Sequence, residues 1–170
     1  MKLFSANLEN LRELYIASLR KAVDMEDTIV SKGLPAMIEH TTDTELRTGF
    51  QQHLSESEGH LRQVKTLLNN IAGYDSSESC KAIHALVSEA SDSIKDAGDE
   101  VVRDITLIYA GQQVEHHEIA VYGTLRTWAE LLGLEEDADV LDAILEEEKL
   151  ADEKLSSIAD RVNTEASIAA

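Results

Sequence analysis

A single cysteine, Cys80, excludes an internal disulfide, and thiolate-bound structural zinc goes with it. The lone thiol fits a reducing compartment and the role of a small buried side chain. One proline and eight glycines leave few places to interrupt a helix, and aromatic residues make up only 4%. No apolar run reaches the ~18 residues that a membrane span needs. The N-terminal MKLFSANLENL also lacks the apolar core of a signal peptide. Positive charge is scarce: 15 Lys and Arg stand against 33 Asp and Glu, for a formal net charge of −18. Such a surface repels phosphate backbones. These absences predict a cytoplasmic protein with neither a membrane nor a nucleic acid as partner.

What is abundant is Leu, Ala, Glu and Asp at helical spacing, so an all-α bundle forming one domain over residues 1–170 is expected. Helix A runs from a candidate N-cap at Ser5 to about Ser31, with Leu8, Leu11, Tyr15, Leu19, Ala22 and Val23 on its apolar face. Gly33 and Pro35 kink or interrupt it, and Met37 and Ile38 add a further turn. Helix B runs from a cap at Thr42 or Asp43 to about Asn70, through Leu46, Phe50, Leu54, Leu61, Val64 and Leu68. A Gly, Asp and Ser-rich loop then leads to a short crossover helix from about Ser79 to Ala97. Helix C spans Asp99 to Leu132, with Gly133 as its stop, and helix D runs from about Glu136 into the 160s. The tail NTEASIAA has little to bury and is expected to fray.

The stretch GQQVEHHEIAVYG, residues 111–123, interrupts the apolar pattern of helix C. Val101, Ile105, Ile108, Ile119, Tyr122 and Trp128 outline its face, yet Gln112, Glu115 and Glu118 fall within it. Each other long helix carries a similar intrusion. Glu26 lies among Leu19, Ala22, Val23 and Ile29, whereas Asp27 points about 100° away. His53, Ser57 and His60 enter the face of helix B with Glu56 on its flank. Glu148 and Asp152 lie on the apolar side of helix D, and Glu146, Glu147 and Glu153 lie off it. In an antiparallel bundle these mid-helix positions come level. Burying a carboxylate without a partner costs several kcal/mol, so something must compensate the set. Hard oxygens with one or two imidazoles suit iron or manganese. His53 serves equally as a ligand or as an outer hydrogen-bond partner, and Glu56 and Asp152 are balanced in the same way. His116 and His117 flank the site, and the Tyr122 hydroxyl is expected to bond a carboxylate.

The stretches LYIASLRKAVDMED, FQQHLSESEGHLRQV, QQVEHHEIAVYGTLR and LEEEKLADEKL resemble the YciF/YciE-like stress proteins of the ferritin-like superfamily. The EHHEIAVYGTLR segment is close to that family's EHYEIAAYGTLR pattern. The resemblance implies a ferritin-like four-helix bundle with a crossover helix between B and C, a homodimer, and a di-metal centre. The residues that intrude on the four helix faces, Glu26, His53, Glu56, His60, Glu115, Glu118, Glu148 and Asp152, are the candidate metal residues. Two iron ions per bundle are expected, with manganese or zinc as alternatives. The chain also departs from the usual ferritin-like pattern. Ser57 stands where a Glu would precede His60, and helix D offers no histidine. One additional residue lies between Glu26 and the Leu34-Pro35 pair. A di-iron oxidoreductase acting on oxygen or peroxide is one expectation; a metal-free helical stress or interaction protein with a vestigial polar core is the other. A storage miniferritin is a weaker third, because storage needs a many-subunit shell.

Overall fold

Asn10 starts the first helix by accepting a 3.0 Å hydrogen bond from the Glu13 N–H, and α1 follows over Leu11–Thr28. The computed structural model describes residues 8–169, with side chains through residue 164. The Ser5 cap expected from the sequence lies outside them. The chain does not break at Gly33 and Pro35. A π-helical turn over Ile29–Gly33 links α1 directly to α2, Leu34–His40. The Leu34 N–H reaches back to the Ile29 carbonyl, one residue further than an α-helical bond. That wider turn absorbs an extra residue while keeping Glu26 above it and Leu34 and Met37 below it buried. Glu26, and not the exposed Asp27, therefore faces inward.

Asp43 caps α3, Thr44–Ala72, by accepting from the Leu46 N–H at 2.9 Å. The α2–α3 turn is tied to the bundle by Asp104, which is buried and accepts from the Thr42 and Asp43 N–H groups at 2.9 and 2.8 Å. Gly73 ends α3 at φ 76°, the left-handed conformation that favours glycine. After the loop, α4 spans Lys81–Asp96, α5 Glu100–Leu131 and α6 Glu135–Ala169. Gly133, at φ 69°, makes the turn from α5 into α6. The last helix thus continues through most of the tail expected to fray.

This is the expected all-α bundle of four long helices with a crossover helix. The first long helix (α1 to α2) packs on α3, α5 packs on α6, α3 meets α6, and α4 crosses over α5. Tyr15, Leu19, Met25, Leu46, Leu68, Leu107, Leu125 and Leu141 fill the interior. Of the outline drawn from periodicity, Ile108 and Tyr122 are buried, as are Glu115 and Glu118 within it, and Leu107, Val114 and Leu125 complete the buried face of α5. Val101 is exposed, and Ile105, Ile119 and Trp128 are only half-buried. The α5 helix contacts α1, α4 and α6 at once, so apolar residues surround it and spacing alone picks out no single face. Among the described residues, no helix is long and apolar enough to cross a membrane.

Candidate metal centre

Four helices bring six ionisable side chains to mid-bundle: Glu26 from α1, His53 and His60 from α3, Glu115 and Glu118 from α5, and Glu148 from α6. Each is 5% exposed or less. His53 and His60 are two turns apart on one face, so α3 delivers one imidazole to each end of the centre. His53, Glu115, Glu118 and Glu148 offer donor atoms within 4.8 Å of one another, and Glu26, His60 and Glu148 do the same. Glu148 belongs to both groups. His53 Nε2 lies 3.2 Å from Glu115 Oε1 and 3.7 Å from Glu148 Oε2. His60 Nδ1 lies 2.9 Å from Glu148 Oε1 and 3.8 Å from Glu26 Oε1.

These distances attract, but most of the atoms are not aligned as hydrogen bonds. Both oxygens of Glu118 and of Glu148, one oxygen each of Glu26 and Glu115, both ring nitrogens of His53, and His60 Nδ1 have no hydrogen-bond partner. The Ser57 hydroxyl, buried between the two histidines, is likewise unpartnered. Orphaned polar atoms at this density are costly unless protons or cations satisfy them. Two divalent cations would balance the four carboxylates while leaving both imidazoles neutral, the form in which they ligate metals. An oxygen-rich donor set with imidazole and no thiolate fits iron or manganese.

Without cations the centre holds protons instead. Burial, reinforced by the charge of Glu148, pushes Glu26 up to about 7. Burial also raises Glu115 and Glu118 well above the carboxylate range. Burial alone would lower both histidines, but the surrounding carboxylates outweigh it. Glu115 leads for His53, carrying it to about 10, and Glu148 leads for His60, carrying it to about 9. The Tyr122 hydroxyl donates to Glu26 Oε1, as expected from the sequence.

Two of the eight predicted residues stand outside both groups. Glu56, on the flank of α3, is partly exposed, accepts from Gln52 Nε2 at 2.8 Å, and lies 3.7 Å from His53 Nδ1. Asp152 lies one turn beyond Glu148; one oxygen is 3.7 Å from the exposed His116, the other is buried without a hydrogen-bond partner, and its charge is felt at Glu115. Gln112 turns to Ser156 instead of the centre, and His117 meets Cys80 Sγ at 3.7 Å at the start of α4. Glu147 was missed. Its side chain is half exposed, as the helical wheel requires, yet it folds back so that Oε2 sits 2.7 Å from His60 Nε2. With the Nε2 proton directed at Glu147, the Nδ1 lone pair points into the centre. Between α3 and α6 a cleft of about 150 Å³ reaches His53 and Glu115 from solvent. Lys154 Nζ bonds Gln52 Oε1 at 3.0 Å on its wall.

Fold and site together define an all-α bundle protein with a buried acid-and-imidazole centre shared by four helices. The family described as "Domain of unknown function (DUF892)" matches residues 10–167, and the chain belongs to that family. It is 33% identical to Protein YciF of Escherichia coli K12 over 162 residues, covering 94% of this chain and 97% of that protein. The crystal structure of the E. coli stress protein YciF superimposes with a TM-score of 0.86 at 32% identity, over 92% of this chain and 98% of the other. YcfI from Rhodopseudomonas palustris superimposes equally well, at 0.86 and 34% identity, covering 91% and 98%.

Proposed function

We propose that this chain is a ferritin-like stress protein, a cytoplasmic homodimer, whose centre holds two metal ions, iron first and manganese or zinc as alternatives. The observation that carries the reading is Glu148: fully buried, with no donor aligned on either oxygen even though His60 Nδ1 lies at 2.9 Å, and common to two groups of convergent donors. His53, Glu115 and Glu118 would complete one site and Glu26 and His60 the other, with Glu148 between them. Bound iron would supply redox chemistry toward oxygen or peroxide. The protein's own part is to fix the donors. Tyr122 steadies Glu26, Glu147 orients His60, and burial within the bundle keeps bulk water from Glu26, Glu118 and Glu148. The stress association rests on the E. coli relative described as a stress protein.

The test is metal analysis of protein purified without chelator, followed by element-specific anomalous scattering. Two peaks flanking Glu148 are expected. No stoichiometric metal in a chain whose Glu115→Ala variant folds normally would sink the reading. One observation favours a second reading, a metal-free stress or interaction protein: both histidines already sit at ion-pair distance from buried carboxylates. Melting with and without metal separates the two, because a ligand bound only by the folded state raises the melting temperature.

A further inference from the structure

On the side facing α4, the centre borders a second, apolar space. A cavity of about 20 Å³ lies between the π-helical turn, α4 and α5, walled by Ile29, Leu34, Met37, Phe50, Val87 and Ile94. His53 and Glu115 close its inner end. The one other polar side chain in the lining, Ser91, donates to the Val87 carbonyl at 2.8 Å and is satisfied within its own helix. The walls are tightly packed. A Cβ on Gly111 would come within 2.9 Å of Leu155 Cδ1 and 3.4 Å of Phe50 Cε1, and one on Gly33 would meet Val87 Cγ2 at 3.4 Å.

We propose that this recess is a docking site for dioxygen beside the His53 half of the centre. Apolar cavities accept small apolar guests such as xenon. About 20 Å³ gives room for one small guest, and the mainly apolar walls favour an apolar one. A polar oxidant such as peroxide finds no free hydrogen-bonding group along the outer walls, and its route is the α3–α6 cleft. The choice of dioxygen rests on the di-metal reading, whereas the recess itself needs no metal to be tested.

Crystals of the whole chain pressurised with xenon should show one xenon atom in the recess. Ala90→Leu, which extends a side chain from α4 into the space, should remove it; Val114→Ile fills the same space from α5 and serves if the first variant does not fold. In iron-loaded protein, xenon-blocking variants should raise the dioxygen concentration for half-maximal ferrous oxidation by about threefold or more, with iron stoichiometry unchanged. An ordered water in the recess, no xenon, or an unaltered dioxygen dependence in a variant that excludes xenon would overturn the proposal. Xenon seated in a chain that takes up no iron would support the recess as a gas site and remove the di-metal reading instead.

Discussion

The His60 and His53 halves of the centre share Glu148 and differ in what surrounds it. In the His60 half, two of the three donors are held from behind, Glu26 by the Tyr122 hydroxyl and His60 by Glu147. In the His53 half, neither oxygen of Glu118 has a hydrogen-bond partner, and His53 has only the partly exposed Glu56 behind it, 3.7 Å from Nδ1 and not aligned as a hydrogen bond. That half meets the α3–α6 cleft on one side and the apolar recess on the other. One half is built to hold its donors still and the other to be reached. On the di-metal reading, the ion beside His60 exchanges slowly, and the ion beside His53 meets incoming molecules.

Glu148→Leu should have the largest effect, because it removes the one donor common to both halves. Metal content should fall from about two ions per chain to none, measured by elemental analysis. The metal-free variant should still fold, because Glu148 also repels Glu26, Glu115 and Glu118, and relief of that repulsion offsets its lost attraction for His60 and His53. Retention of one full ion would show that the halves do not depend on Glu148 alike. Next come His53→Ala and His60→Ala, each of which should leave about one ion per chain. Anomalous scattering would locate the survivor in the opposite half. If either variant loses both ions, the halves are one cooperative site and the comparison fails.

Metal-free protein should lose stability as pH rises, and here the halves act together. Glu26, Glu115 and Glu118 bind protons more tightly folded than unfolded, as do His60 and His53. The folded state therefore carries more protons, and stability falls with pH. For Glu26 the contribution is complete below the ordinary value of 4.5 and is lost as pH rises through about 7. For the histidines it is complete below 6.5 and lost through about 9 and about 10. Denaturant midpoints at about pH 5, 7 and 9 should decline steadily in metal-free protein. With metal bound the decline should be offset, because the ions displace those protons and bind more tightly at higher pH. A flat metal-free profile would mean that the buried groups are paired more completely than their geometry allows.

Much of this centre was legible before any coordinates. Glu26, Glu115, Glu118 and Glu148 broke apolar stripes, and a carboxylate on such a stripe has few alternatives to a shared site. The crossover helix followed from length and turn residues. The α5 face follows only in part: Ile108 and Tyr122 are buried, but a helix packed on three sides has apolar residues on each of them, and its period does not single out the rest. The π-helical turn is legible only as the one additional residue between Glu26 and Leu34. Gly33 and Pro35 suggest a kink or an interruption, but a single wider turn takes up that residue and keeps the buried residues on either side in register. Glu56 and Asp152 share a face with the convergent residues but border the two donor groups without joining them, which spacing alone does not distinguish. Glu147 was under-read, because periodicity follows the Cβ direction and a long side chain can bend back.

Glu147→Ala should give the smallest effect and the sharpest test of the asymmetry. The residue contributes no donor to either group and its side chain is half exposed, so the fold should be indifferent to its loss. What it supplies is the acceptor for the Nε2 proton of His60 at 2.7 Å, which fixes the ring with Nδ1 facing Glu148 and Glu26. Without it, affinity at the His60 half should drop by about 10- to 100-fold, the usual cost of losing the hydrogen bond that orients a metal-bound imidazole. The His53 half should keep its affinity, because Glu147 makes no hydrogen bond there. A two-site titration followed calorimetrically would resolve the two constants, and nitrogen chemical shifts of His60 would report a ring that no longer favours the Nε2-protonated form. Glu147→Gln, whose amide oxygen can still accept the proton, should recover most of the affinity. Equal weakening of both sites would instead assign Glu147 a general electrostatic role, and the distinction between a fixed half and an open half would then rest on Tyr122 alone.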